Sequence, residues 1–252
     1  MDLGLASKVA IVTGAGSQIG FGRAIALALA KDGCDIIVAD IDLDGAKQTS
    51  KEIETVGRKA VPIKVDVSNS ADVRKMAEAA LDRFGKIDIL VNNAGACTPP
   101  KQFLEMTETE SDRDININLK GVLNCTRAVL PHMLERKYGK IVNISSGAAI
   151  EGAAVTSVYA AAKAGVMAFT RSIARGVASS GINVNSIAPG LANTGFARQA
   201  PPEMLNNYKK NIPLGRITEP QDIANTVVFL ASDVSVDIVG QTISVDGGVL
   251  ML

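Results

Sequence analysis

The sequence predicts an α/β protein built on one doubly wound parallel sheet of about seven strands, flanked by helices on both faces. Two observations lead to this prediction. Short apolar runs rich in β-branched residues alternate along the chain with longer segments of helical periodicity. Several of the short runs are almost continuously apolar, which is typical of strands covered by helices on both sides. The 252 residues contain no linker, repeat or low-complexity segment, so we interpret residues 1–252 as one domain.

The predicted strands are the apolar runs bounded by turn residues. They are Val9–Thr13, Asp35–Asp40, Val61–Asp66, Ile87–Asn92, Lys140–Ser145, Ile182–Ile187 and Gln241–Asp246. The predicted helices lie between them and place apolar residues three and four positions apart. They are Gly20–Lys31, Leu43–Val56, Ala71–Phe84, Ser111–Lys137, Val158–Ser179 and Gln221–Ala231. Such sheets bind ligands at the carboxyl ends of their strands, so the residues after each strand form the candidate site.

The charge balance limits the classes of partner. Lys and Arg number 26, and Asp and Glu also number 26, so the net charge is zero. Proteins that bind nucleic acid or an anionic membrane through their charge are basic, so we expect neither partner here. No apolar run is long enough to span a bilayer, and no basic segment leads into an apolar stretch near Met1. These features predict a cytoplasmic protein that acts on a small molecule.

The cysteines and the histidine exclude further classes of site. Cys34, Cys97 and Cys125 are widely spaced, unlike a disulfide framework or a zinc site. His132 is the single histidine, which argues against a Ser-His-Asp hydrolase and a His-ligated metal. We therefore predict no metal site, and we interpret Cys97 as a thiol that lines the substrate pocket rather than as a nucleophile.

A glycine-rich turn follows the first predicted strand and leads into an alanine-rich helix. Glycines let the backbone approach a pyrophosphate, and the helix N-terminus attracts the anion. The turn therefore predicts a dinucleotide site. The expected contacts are Gly14, Gly16, Ser17, Gln18, Ile19, Gly20 and Gly22.

Polar residues at the next three strand ends extend this site. Asp40 can accept hydrogen bonds from both ribose hydroxyls of an adenosine and would repel a 2′-phosphate. No Lys or Arg follows it directly, so we expect NAD(H) to be favoured over NADP(H). Asp66, followed by Val67, can reach the adenine amino group. After the fourth strand, Asn93, Ala94 and Gly95 allow close approach of a cofactor.

A proton-transfer pair lies beyond the fifth strand. Tyr159 and Lys163 are four residues apart on a predicted helix and therefore share one face. A cation about 4 Å from a phenol, at an effective dielectric constant of about 20, is worth roughly 4 kcal/mol or about 3 pK units. We therefore expect Lys163 to lower the pKa of Tyr159 and make it a general base. Ser146, rather than Ser145, is the candidate for holding a substrate oxygen because it lies thirteen residues before Tyr159.

Together these motifs resemble those of the classical short-chain dehydrogenases/reductases over essentially the whole chain. The shared motifs are the turn Thr13–Gly22, Asn92–Gly95, Asn116–Leu119, Ser146, Tyr159–Lys163, Pro189-Gly190 with Thr194, and Val245–Gly248. The turn departs from the commonest form of that family because it is two residues longer and carries Gly16 as an extra glycine. The departure leaves open which glycine faces which phosphate.

The resemblance implies a role for each matching residue. Tyr159 would be the acid/base, and Lys163 would lower its pKa and bind the nicotinamide ribose. Ser146 would orient the substrate oxygen, and Asn118 would hold a proton-relay water through its backbone. The resemblance also implies that the nicotinamide amide is lined by Pro189, Gly190 and Thr194. A single Rossmann-type domain and a homotetramer, assembled through the two longest predicted helices, are also implied.

A polar stretch at about 193–213 corresponds, by the same resemblance, to a substrate lid. Its cations Arg198, Lys209 and Lys210 either meet an anionic substrate such as an acyl-CoA or form a solvated face. The leading hypothesis is an NAD-dependent dehydrogenase of a secondary alcohol, with a hydroxyacyl-CoA among the candidates. One alternative is an NADPH-dependent 3-oxoacyl-thioester reductase. Another is a cofactor-sensing binding protein or an inactive partner subunit, which would be expected to lack Ser146, Tyr159 or Lys163.

Overall fold

A computed structural model describes residues 2–195 and 202–251 and confirms the predicted α/β architecture. Seven parallel strands form one sheet in the order β3-β2-β1-β4-β5-β6-β7. The strands are β1 Val9–Thr13, β2 Asp35–Asp40, β3 Ala60–Lys64, β4 Ile89–Asn92, β5 Gly139–Ile144, β6 Ile182–Pro189 and β7 Thr242–Val245. The strand order reverses between β1 and β4, so the crevice at their carboxyl ends is the expected place for a ligand.

Helices cover both faces of the sheet. They are α1 Phe21–Lys31, α2 Leu43–Thr55, α3 Ser70–Phe84, α4 Glu108–Ile115, α5 Gly121–Arg136, α6 Ala148–Glu151, α7 Ser157–Val177, α8 Pro202–Lys210 and α9 Pro220–Ala231. The short helices α6 and α8 were not among the predicted elements. Within residues 2–195 and 202–251, no helix combines the length and the apolar composition that crossing a bilayer requires.

Alternation along the strands builds two apolar cores. Ala10 and Val12 of β1 pack in the core beneath α1, α2 and α9, whereas Ile11 packs in the core on the opposite face. All three side chains are fully buried. Burial of one aliphatic side chain of this size is worth about 1.5–3 kcal/mol, so the cores hold the strand ends in fixed positions.

The predicted helix Ser111–Lys137 is wrong as a single element. The structure interrupts it with a π-helical turn, Asn116–Lys120, between α4 and α5. The side-chain Nδ2 of Asn118 donates to the carbonyl of Asp114 at 2.8 Å, and so takes an acceptor that an α-helix gives to a backbone amide. Helical periodicity does not reveal such a competition. π-Helical turns are frequent at functional sites, and this one carries a candidate catalytic residue.

Candidate active site

The glycine turn after β1 has the geometry of an anion site. Gly14 adopts a left-handed backbone conformation with φ of 68°. A Cβ atom on Gly22 would collide with the carbonyl of Gly14, so only glycine fits there. In this described part of the chain, α1 begins at Phe21, its N-cap residue Gly20 provides no side-chain cap, and its first turn holds no acidic residue. Its first amides are therefore free to bind a pyrophosphate.

Hydrogen bonds fasten the lengthened glycine turn to α2. The side-chain nitrogen of Gln18 donates to the carbonyl of Gly16 at 2.8 Å and to that of Gly45 at 3.3 Å. The hydroxyl of Thr49 donates to the carbonyl of Ala15 at 2.8 Å. The Gln18 side chain thus stabilises the turn from the protein side, whereas Ser17 is exposed and Ile19 faces the segment after β6 near Gly195.

Asp40 lies at the carboxyl end of β2, directly beside the glycine turn. Its two carboxylate oxygens accept hydrogen bonds from the backbone amides of Gly16 at 2.7 Å and Asp42 at 2.9 Å. A Cβ atom on Gly16 would lie 2.8 Å from the Asp40 carboxyl carbon, so the extra glycine makes room for this contact. The carboxylate is therefore fixed in place with acceptor capacity left for a ribose diol.

Two neighbours of Asp40 were missed by the sequence reasoning. Lys64 is the register partner of Asp40 on β3, although 24 residues separate them in the sequence. Ile41 is 64% exposed, which makes it an apolar surface next to the carboxylate and suitable for an adenine ring. The strand register reveals Lys64. The signal for Ile41 is an exposed apolar residue directly after a buried strand.

The ends of β3 and β4 contribute in different ways. Asp66 lies two residues beyond the end of β3, and its Oδ1 already accepts from the amide of Ser68 at 2.9 Å and from its hydroxyl at 2.7 Å. Val67 follows it, and its carbonyl accepts from Asn124. Asn93 donates to the carbonyls of Thr13 at 2.8 Å and Gly14 at 3.0 Å, so it ties β4 to the glycine turn. Ala94 and Gly95 complete this edge.

Gly95 connects the cofactor edge with the candidate catalytic group. A Cβ atom at Gly95 would lie 2.9 Å from Oδ1 of Asn118 and 3.3 Å from Nζ of Lys163. Only a glycine lets these two side chains approach so closely. Lys163 is 3% exposed, and its Nζ donates to the carbonyl of Ile144 at 2.8 Å.

The structure brings Ser146, Tyr159 and Lys163 together. Nζ of Lys163 lies 5.8 Å from the centroid of the Tyr159 ring, and the Ser146 hydroxyl lies beside the Tyr159 phenol. Ser145 instead donates its hydroxyl to the carbonyl of Lys163 at 2.9 Å and is buried. Ser146 is thus the serine beside the Tyr159 phenol, and Ser145 supports the α7 helix.

The protonation of the pair differs from the sequence expectation. Burial raises the pKa of Tyr159 to about 12, and the Ser146 hydroxyl only partly opposes this rise. Burial also lowers the pKa of Lys163 to about 8. The prediction that Lys163 lowers the pKa of Tyr159 was wrong. In the structure Nζ of Lys163 points to the carbonyl of Ile144, and both side chains are desolvated. The phenol is therefore protonated at neutral pH.

The turn after β6 closes the site on its other side. The amide of Gly147, next to Ser146, donates to the carbonyl of Pro189 at 2.9 Å. Gly190 donates to the carbonyl of Val245, and Thr194 to that of Ala192 at 2.7 Å. Pro189, Gly190 and Thr194 therefore lie next to the Ser146 turn, where they can line a nicotinamide.

A sequence model of the short-chain dehydrogenases/reductases, described as "Enoyl-(Acyl carrier protein) reductase", matches residues 14–250. The 3-oxoacyl-[acyl-carrier-protein] reductase FabG of Thermotoga maritima is 38% identical over 98% of this chain and 99% of its own length. The chain is a short-chain dehydrogenase/reductase.

Two further relatives in this family have nearly the same length. The FabG protein of Staphylococcus epidermidis is 40% identical over 97% of this chain and 100% of its own length. A (2S)-[(R)-hydroxy(phenyl)methyl]succinyl-CoA dehydrogenase subunit, BbsD of Thauera aromatica, is 40% identical over 98% of both chains. Two of the three names thus describe a reductase of a 3-oxoacyl-[acyl-carrier-protein], and one describes a dehydrogenase of a substituted succinyl-CoA.

The predicted lid of this dehydrogenase/reductase is described only in part. Residues 196–201, including Arg198, lie outside the described residues. α8 carries Lys209 and Lys210, and the backbone amide of Leu191 lies close to the Tyr208 phenol. Because Leu191 directly follows Gly190, α8 packs against the turn that closes the site. The lid at about 193–213 and the role of its cations stay predictions.

Proposed function

We propose that the protein interconverts a 3-oxoacyl thioester and its 3-hydroxyacyl thioester, chiefly in the reductive direction. The observation that carries this proposal is the similarity, over nearly the full length, to relatives named for acyl-thioester substrates. The 3-oxoacyl-thioester reductase, first considered as an alternative, therefore has more support than a general NAD-dependent secondary-alcohol dehydrogenase. The coenzyme is a separate part of the proposal.

The protonated Tyr159 suits reduction. A phenol with its pKa raised to about 12 carries its proton at neutral pH and can donate it to a carbonyl oxygen that becomes a hydroxyl. The Ser146 hydroxyl holds that oxygen. A bound nicotinamide coenzyme supplies the hydride. The side chains of Lys163 and Asn118 approach each other at Gly95, and we assign to Lys163 and the Asn118 backbone the return of a proton from solvent to the phenol.

NAD(H) is the coenzyme that we propose. Support comes from the fixed Asp40 carboxylate, which can accept the hydroxyls of an unphosphorylated ribose and repels a 2′-phosphate. The free amides at the start of α1 and the glycine contacts fit a dinucleotide pyrophosphate. A cytoplasmic location and a homotetramer stay predictions from the sequence. Ile115 on α4 and Leu134 on α5 are partly exposed apolar residues that self-association would cover.

A substrate panel tests the proposed reaction. We expect 3-oxobutyryl-CoA with NADH to be turned over with a kcat/KM at least about tenfold above that of simple ketones, because the CoA moiety, remote from the reacting carbonyl, contributes binding energy. The measurement is the loss of NADH absorbance, with NADPH in parallel and with 3-hydroxybutyryl-CoA and simple secondary alcohols in the reverse direction. Simple alcohols as the better substrates would favour the general dehydrogenase. NADH binding without turnover on any substrate would favour the binding-protein alternative.

Asp40→Ala tests the coenzyme assignment. We expect the ratio of kcat/KM with NADH to that with NADPH to fall by about 10- to 100-fold, since two hydrogen bonds to the ribose and the repulsion of a phosphate are lost together. Asp44→Ala is the matched control because it removes an exposed carboxylate four residues away that pairs with Lys47. The role of Asp40 would be refuted if Asp40→Ala left the preference for NADH over NADPH unchanged, or if Asp44→Ala changed that preference by the same amount.

A further inference from the structure

A buried carboxylate without a family role lies next to the active site. Asp114, in the last turn of α4, is 2% exposed. Among the ion pairs of residues 2–195 and 202–251, none places a cation within 4 Å of its oxygens. A buried carboxylate that lacks an ion pair is costly and has to be stabilised by hydrogen bonds. Its hydrogen-bond partners therefore indicate what it does.

Thr98 supplies these hydrogen bonds. Oδ1 of Asp114 accepts from the backbone amide of Thr98 at 3.0 Å and from its hydroxyl at 3.0 Å. Thr98 is itself buried and belongs to the segment Ala96–Thr98, which directly follows Gly95. In the middle of this segment, Cys97 is near enough to Lys163 and Tyr159 to affect their pKa values. The segment therefore forms a wall of the reaction site.

The same segment is attached to the catalytic Asn118. Nδ2 of Asn118 donates to the carbonyl of Ala96 at 2.6 Å and to the backbone carbonyl of Asp114 at 2.8 Å. The amide of Ala96 donates back to Oδ1 of Asn118 at 3.3 Å. Asp114 thus contacts one end of the segment through its carboxylate and the Asn118 side chain through its backbone. Loss of the carboxylate contact frees one end of the wall.

We propose that Asp114 is a positioning residue for the reaction, whose carboxylate fastens the wall Ala96–Thr98 to the π-helical turn that carries Asn118. The inference rests on the proposed reductase function of the same site. It assigns a task to a charge that neither binds the coenzyme nor touches the reacting atoms. Two properties can be separated experimentally: the hydrogen bonds to Thr98 and the negative charge.

The charge acts on Tyr159. The groups that face its phenol are Lys163 on α7, Cys97 on the wall, Asp114 on α4 and the Ser146 hydroxyl. Burial raises the pKa of Cys97 to about 11, so this thiol is neutral at neutral pH. Burial is the main cause of the raised pKa of Tyr159, and the charges of Cys97 and then Asp114 add to it in the same direction. Removal of the Asp114 charge therefore lowers that pKa.

Asp114→Asn and Thr98→Val test the two properties. Asp114→Asn keeps an oxygen for Thr98 but removes the charge, so the alkaline limb of the pH profile of kcat/KM should move to lower pH. Thr98→Val removes the hydroxyl bond and keeps the charge, so KM for the thioester should rise about 3- to 10-fold with the limb unmoved. Thr98→Ser should restore the KM.

Each arm can overturn the proposal. An alkaline limb unmoved in Asp114→Asn contradicts the action of the charge, and an unchanged KM in Thr98→Val contradicts the fastening of the wall. NADH affinity equal to that of the parent protein shows that a variant is folded. Absence of turnover in the parent protein on every thioester would instead refute the proposed function, and so the two failures are distinguishable.

Discussion

Tyr159→Phe is expected to abolish turnover while NADH still binds. The substitution removes one oxygen, and the ring stays packed beneath Lys163, whose Nζ lies 5.8 Å from the ring centroid. Loss of the proton donor should lower kcat by at least about 10³-fold, since a positioned acid/base contributes factors of this order. Initial rates with the best thioester give kcat, and a fluorescence titration gives the dissociation constant of NADH. The binding constant should change less than about threefold because the phenol oxygen serves chemistry more than binding.

Tyr138→Phe is the matched control for this experiment. It removes the same atom from a phenol that donates to Oδ1 of Asp233 at 2.8 Å. Tyr138 lies just before β5, at the opposite end of the sheet from the site. Turnover should therefore be unaffected in this variant. Undiminished turnover in Tyr159→Phe would sink the mechanism, whichever coenzyme and substrate the protein uses.

The sequence was sufficient for the sheet because its signals are local. Alternation and helical periodicity identify each strand and helix, and crossover helices require parallel strands. Contacts between distant segments were not accessible in this way. The amide of Gly16 that holds Asp40, and Lys64 beside Asp40, depend on how the turn folds and how β2 pairs with β3. The interruption of the long helix at Asn118 depends on a side chain that competes with the backbone.

The Tyr159 and Lys163 pair shows a second limit. Their spacing correctly predicts two side chains on one helix face, but the pKa of each depends on its desolvation and on the direction of the ammonium group. Nζ of Lys163 bonds to the carbonyl of Ile144, a residue nineteen positions away on β5. A Coulomb argument from spacing alone omits both effects, and so it gave the wrong direction for the pKa of the phenol.

Lys163→Met is expected to destroy activity and to stabilise the fold. Burial lowers the pKa of Lys163 to about 8 from the ordinary value of 10.5, so keeping this side chain charged in the native state at pH 7 costs about 3 kcal/mol. Methionine avoids that cost but leaves the carbonyl of Ile144 without its donor. The net gain in the free energy of unfolding at pH 7 should be about 1–2 kcal/mol. Turnover should fall by about 10²- to 10⁴-fold.

The stability of the parent protein should depend on pH because the pKa of Lys163 differs between the native and unfolded states. In the unfolded chain Lys163 keeps its proton up to about 10.5, whereas in the native state it loses the proton near 8. Between these values the unfolded state binds more protons, so the stability of the parent protein rises with pH. Lys163→Met should lose that rise. Urea unfolding at pH 7 and pH 10, at one protein concentration, measures the difference.

Lys140→Met separates the stability effect from the catalytic one. Lys140 is also buried, its pKa is also lowered by burial, and its Nζ donates to Oδ1 of Asn183 at 2.8 Å near the start of β5. Both variants should flatten the pH dependence of stability, and only Lys163→Met should lose turnover. A Lys163→Met protein that is less stable at pH 7 than its parent would contradict the uncompensated burial of this charge. If Lys163 and Lys140 both lower the stability of the fold but only Lys163 is required for turnover, then the reaction explains why a lysine occupies position 163.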